Sequence, residues 1–243
     1  MSIDVNRRFY REAAAVSDPA PDSGGWRIAL DGKVVKTPAR NPLVIPNRAL
    51  AEAIAAEWSA QDTRIKPDTM PLMQLLSTAI DRVAPDRERI IAETAGYAAT
   101  DLVCYRAEGP ADLRAREAAE WDPLIDWLRV RFDVVLNVAS GVIAVPQSEP
   151  ALAVLTRVVA GQDDFRLTAL SVMTGAVGSL VLGLAVLEGR ITPEEAAKAA
   201  QLDELYQAER WGIDPEAEIR RASQRADLLA ARRFLDLLAT GAA

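Results

Sequence analysis

Residues 167–187, LTALSVMTGAVGSLVLGLAVL, run for about 21 residues without a charge, the length at which an α-helix crosses a bilayer. The fold turns on how this stretch is read. It is either a membrane span or a helix covered on all sides by other helices. Gly175, Gly178, Ser179 and Gly183 permit close helix approach in both settings. Thr168, Ser171, Thr174 and Ser179 dilute the run. It has no Trp or Tyr belt and no Lys/Arg cluster on one flank. These features favour one buried helix over 165–188 at the centre of a helical domain.

Working outward, Thr192 before Pro193 with Glu195 three residues on forms a capping box that starts a helix over 193–211. Asp214-Pro215 starts another, over 215–238. Upstream, the apolar spacing predicts helices over 48–61, 67–83, 86–105, 110–132 and 149–159. In the first, Leu50, Ile54 and Trp58 share a face. The N-terminal part reads differently. WRIAL (26–30) and KVVKT (33–37) flank Asp31-Gly32, a pair that favours the positive φ of a tight hairpin turn. NPLVIP (41–46) suits a further strand, and 18–25 a loop. A second hairpin is expected from 134–139 and 142–146 around Ser140-Gly141. The fold class is therefore α+β by segregation. A small β-rich N-terminal domain (1–75) precedes a larger, mainly helical C-terminal domain (76–243).

Composition narrows the chemistry. The 243 residues contain no histidine and one cysteine, Cys104. That excludes Ser-His-Asp and Cys-His catalysis, a His-ligated metal, a thiolate cage and an intrachain disulfide. Net charge is −7, which argues against nonspecific nucleic-acid binding. No apolar leader marks MSIDVNRRFYREA as a secretory signal. No phosphate loop is present, and Gly175-x-x-Gly178 lacks the strand that a dinucleotide loop needs. Cys104, in DLVCYRA, reads as a buried structural thiol.

Two segments carry residues suited to chemistry or binding. Asp122 and Asp126 lie at i, i+4 in WDPLIDW. With Glu117 or Asp101 they would make an acid/base pair or a hard-cation site. Such acids are ordinary on helices, and Asp122 before Pro123 also suits a cap or kink. The second segment, LDELYQAERWGIDPEAE (202–218), gathers Asp203, Glu204, Gln207 and Glu209 on a helix ended by Trp211-Gly212. A tryptophan beside carboxylates at a polar helix end resembles a binding hot spot.

Several stretches, in order, resemble one family: the start near 8–16, GWRIALDGKVVKTPARNPLVIP, LAEAIAAEWSAQ, IKPDTMPLMQLLSTAIDRV, ATDLVCYRAE, WDPLIDW and LDELYQAERWG. The resemblance, over about 8–218, is to the F1-ATPase assembly chaperones of mitochondria and alpha-proteobacteria. It implies a non-enzymatic chaperone without a cofactor or metal, working in the cytoplasm or matrix as a monomer with no stable membrane insertion. The implied partner is the free F1 α subunit, bound transiently. The residues it assigns to partner binding are Asp203, Glu204, Gln207 and Trp211, with Trp58 in the EW motif. The family pattern leads one to expect Glu where Asp203 stands. The alternative reading is a carboxylate-dependent enzyme using Asp122 and Asp126.

Overall fold

In the computed structural model, which describes residues 7–18, 24–141, 143, 145–212 and 214–240, Asp31 and Gly32 adopt φ of 46° and 78°. They turn β2 (Trp26–Leu30) back into β3 (Lys33–Val34). The return strand is shorter than the sequence suggests. On the other side of β2 lies β1 (Ala13–Ser17), antiparallel from Ala13↔Leu30 to Ser17↔Trp26. Its text, AAAVS, is too alanine-rich to announce a strand. The expected strand at 41–46 reduces to bridges, Lys36↔Pro42 and Trp26↔Ile45. Pro42 and Pro46 have no N–H to extend a ladder. Leu43 and Ile45 are nevertheless buried.

Helix α1 (Arg48–Ser59) buries Leu50 and Ile54 as their spacing predicts. Asn47 serves two helix ends. Its Oδ1 accepts from Leu50 N at 2.9 Å. Its Nδ2 donates to the carbonyls of Leu237 and Leu238 at 2.9 and 3.0 Å. Near the other end of α1, buried Glu57 accepts from the backbone N–H groups of Leu72 and Met73 at 2.8 and 2.9 Å. It thus caps α2 (Pro71–Thr78), whose N-cap Met70 has no side chain able to do so. Burial raises the Glu57 carboxyl above its ordinary pKa, and the two N–H donors oppose that shift.

The chain divides into two compact units, Met1–Asp86 with Arg233–Ala243, and Arg87–Arg232. The sequence reading put its boundary at 75/76. The structure keeps the helical turns up to Asp86 with the first unit and returns the C-terminal segment to it.

The second unit holds α3 (Arg87–Gly96), β4 (Tyr105–Arg106), α4 (Ala111–Phe132), β5 (Ala139–Ser140), α5 (Glu149–Ala160), α6 (Asp164–Val177), α7 (Leu180–Leu187), α8 (Pro193–Ala200) and α9 (Leu202–Trp211). It also holds most of α10 (Pro215–Ala239). The Thr192–Glu195 capping box is present, with N–H···O distances of 2.7 and 3.1 Å.

Four expectations for this second unit need correction. The single helix over 165–188 is two. Gly178 adopts φ 68°, and Ser179 starts α7 by accepting from Leu182 N at 3.0 Å. Among the described residues, no helix is long and apolar enough to cross a membrane. The helix over 193–211 breaks at Gln201 into α8 and α9. The reading of 86–105 as one helix gives way after Gly96 to two 3-10 turns and β4. Finally, β5 pairs in parallel with β4, Tyr105↔Ala139 and Arg106↔Ser140, instead of forming a local hairpin. Residues 142 and 144 of that expected hairpin lie outside the described residues.

The break between α6 and α7 is built around a buried acid. Asp101 accepts from Ser179 Oγ at 2.5 Å and from Val181 N at 3.0 Å. Its own 3-10 turn adds Val103 N at 3.3 Å. Burial pushes its pKa up to about 6, against the pull of these donors. Just beyond the break, Gly183 allows contact with α6: a Cβ there would sit 2.5 Å from Thr174 Oγ1.

Candidate functional site

Helix α9 alternates anchors and exposed groups. Leu202 and Tyr206, one turn apart, are buried. Asp203, Gln207 and Trp211 follow the same i, i+4 spacing along the exposed side. Trp211 is 77 % exposed. Gly212, at φ 96°, ends the helix and donates to Ala208 O. This is the stop that the Trp-Gly pair predicts.

The anchors run to α4. Tyr206 donates its hydroxyl to Asp112 at 2.9 Å, and Arg210 reaches the same carboxylate at 2.6 Å. The bond from Tyr206 leads the causes that hold Asp112 below the ordinary carboxylate range. Arg116 pairs with Glu209 at 2.8 Å. Arg116 and Arg210 both lie over the Tyr206 ring, 5.3 and 4.2 Å from its centroid. On its α10 side, Glu204 pairs with Arg220 at 3.3 Å and Arg221 at 3.6 Å. Glu204, Gln207, Trp211 and Arg220 line a groove of about 370 Å³.

Asp203 has a partner that spacing could not announce. It lies beside Glu117 of α4, which is fully buried and accepts twice from Ala107 N, at 2.9 and 3.1 Å. Burial raises the Glu117 pKa, and the neighbouring Asp203 raises it further. Two acids 86 positions apart therefore sit together under the first turn of α9, with Asp203 on the solvent side. Trp121 holds the preceding helix, donating Nε1 to Ala199 O at 2.9 Å.

The alternative acids do not gather. Asp122 pairs with Arg106 at 2.6 Å, and Asp126 lies 3.5 Å from Arg129. Both carboxylates are exposed. Asp122 is not a cap, because α4 continues through Pro123. Asp101 is committed to Ser179 and α7, and Glu117 to Ala107. Among the described residues, no group of three or more acids or cysteines is placed to hold a metal ion. Cys104 is buried, and burial pushes its thiol up to about 12, far from a reactive thiolate.

Four of the five expected partner-binding residues, Asp203, Glu204, Gln207 and Trp211, come together on α9. Trp58 belongs to the other unit. There it packs edge-on against Tyr10, with ring centroids 5.6 Å apart, and its carbonyl accepts from the Tyr10 hydroxyl at 2.7 Å. Sequence reasoning missed Glu117 as the neighbour of Asp203. It also missed Asp112, Arg116 and Arg210, which fix the helix. Tyr206, four residues from Leu202 on the buried side, was the available signal.

Comparison with known proteins covers both units. The family model for the ATP12 chaperone protein matches residues 7–129. The mitochondrial protein atp12 of Schizosaccharomyces pombe is 24 % identical over 218 residues, covering 85 % of this chain and 74 % of its own. The crystal structure of Atp12 from Paracoccus denitrificans is 42 % identical, with a TM-score of 0.89, covering 96 % of this chain and 98 % of that one. Atu1473 of Agrobacterium tumefaciens matches with 39 % identity and a TM-score of 0.89, over 96 % and 86 %. The chain belongs to the ATP12 chaperone family, the F1-ATPase assembly chaperones that its motifs resemble.

Proposed function

We propose that this protein binds the free F1 α subunit and shields the surface that β later covers, using the exposed stripe of α9. Membership of the ATP12 chaperone family carries the chaperone part of this reading, and the exposed stripe of α9 carries the choice of surface. An isolated subunit exposes apolar surface that drives aggregation. A protein that covers it must release it to the final partner, so it must bind more weakly than β does. The α9 stripe suits such a transient contact. An exposed Trp211 supplies a hot-spot side chain, and the surrounding charges supply selectivity. The helix is already fixed by Tyr206 and Asp112, so binding need not order it.

A binding role without catalysis is supported by the acids themselves. Asp122 and Asp126 are each engaged by an arginine, and neither is enclosed. The site of action would be the cytoplasm, or the matrix in a mitochondrion, and the working form a monomer. Co-expression with the F1 α subunit of the same organism, followed by size-exclusion chromatography and addition of β, tests the proposal. Soluble α that co-elutes and is released by β supports it. Aggregated α with no complex removes it.

A further inference from the structure

The first unit carries an open groove of about 450 Å³ beside α2. Its wall includes Trp58, Ile65, Met70 and Met73, and its rim includes Lys36 and Gln74. Thioether side chains are soft and unbranched, so such a wall accepts apolar groups of varied shape. The wall is pre-formed. Glu57 clamps the N–H of Met73, and Tyr10 braces Trp58. The rim is fixed too, because Asp81 accepts from the Thr37 hydroxyl, Ala39 N and Asn41 Nδ2 at 2.6, 3.0 and 2.8 Å. Those bonds occupy the nearby carboxylate.

Charge identifies the occupant. Lys36 is the one charged residue among those lining the groove, in a chain of net charge −7. Among the described residues it has no ion-pair partner. An apolar slot with a lone cation at its mouth suits an apolar group followed by a carboxylate. A small molecule is normally enclosed over most of its surface. This groove is open to solvent and leaves room for a chain that continues past it.

We propose that the groove takes a peptide segment of the α subunit in which an apolar side chain stands next to an acidic one. The apolar group lies against Met70, Met73 and Trp58, and the carboxylate pairs with Lys36. This rests on the α-subunit reading above and adds a second contact, on the other unit from α9.

The test uses fluorescein-labelled peptides of about 15 residues tiling the α subunit, with anisotropy read on the full chain. Lys36→Glu reverses the rim charge, and Gln74→Trp fills the groove from an exposed position of α2. Thermal unfolding of both variants confirms the fold, and Gln74→Trp keeps the test open if Lys36→Glu does not fold. The expected result is that peptides with an apolar–acidic pair bind, that each variant weakens them by about tenfold or more, and that raised salt weakens the wild type. Equal binding to wild type and Gln74→Trp overturns the proposal. So does a groove that takes decanoate but no peptide. Co-elution of full-length α without any peptide binding overturns the groove assignment and leaves the α-subunit reading in place. Failure of α to co-elute removes that reading, and with it this occupant.

Discussion

Helices α7 and α9 are similar in length, eight and ten residues, and are used in opposite ways. All eight residues of α7 are buried, and its start is capped by Ser179 and Asp101. Helix α9 buries Leu202 and Tyr206 and leaves Asp203, Gln207 and Trp211 in solvent. Packing and one buried acid place α7, so a change there is felt throughout the core. Two anchors place α9, and its ion pairs to Asp112, Arg116 and Arg220 are exposed, each worth about 1 kcal/mol or less. Its outer stripe is therefore free to serve a partner without holding the fold together.

The comparison breaks most visibly at Gly183. A valine there brings Cβ within 2.5 Å of Thr174 Oγ1 and 3.4 Å of Thr174 N. Gly183→Val should cost about 3 kcal/mol in urea unfolding, from overpacking against the buried side chains of Thr174 and Leu170. An unchanged midpoint would mean that α6 and α7 are not in close contact.

The Asp101 cap gives the next effect, and its sign follows from the raised pKa. The folded chain holds this proton up to about pH 6, and the unfolded chain releases it in the ordinary carboxylate range. The carboxyl's contribution to stability is thus complete below that range and is lost as pH rises through 6. On a scale of about 1.4 kcal/mol per pKa unit, wild type should lose on the order of 2–3 kcal/mol relative to Asp101→Asn between pH 4 and pH 7. A difference that stays flat with pH would contradict this account of the cap.

On α9 the expected pattern reverses. Trp211→Ala should leave unfolding within about 0.5 kcal/mol of wild type and weaken α-subunit binding by about 2 kcal/mol, read by calorimetry on the complex. Asp203→Lys with Glu204→Lys probes the same stripe by charge. The first substitution places a cation beside buried Glu117, and the second sets a cation against Arg220 and Arg221. The net change in unfolding should stay below about 1 kcal/mol, while co-elution with α is weakened. Native unfolding with unchanged co-elution would take α9 out of the interface.

What the sequence revealed follows how local each signal was. The Asp31-Gly32 turn, the Leu50/Ile54 face and the Thr192–Glu195 box are decided within a few residues, and all three are present. The apolar run at 167–187 was visible, but the break at Gly178–Ser179 was not. Its buried cap, Asp101, lies 78 positions upstream of Ser179. The parallel pairing of β4 with β5 and the meeting of Asp203 with Glu117 are hidden for the same reason. The α9 stripe was legible because one helix carries it whole. The Lys36 groove was not, because three separate segments build it.

Hydrogen exchange on the free chain and on its complex with the F1 α subunit tests the central claim most directly. Amides of α7 should exchange slowly in both states, while those of residues 202–211 should exchange quickly when free and become protected in the complex. A complex in which α9 exchanges as fast as in the free chain would contradict the assignment of this helix to the partner.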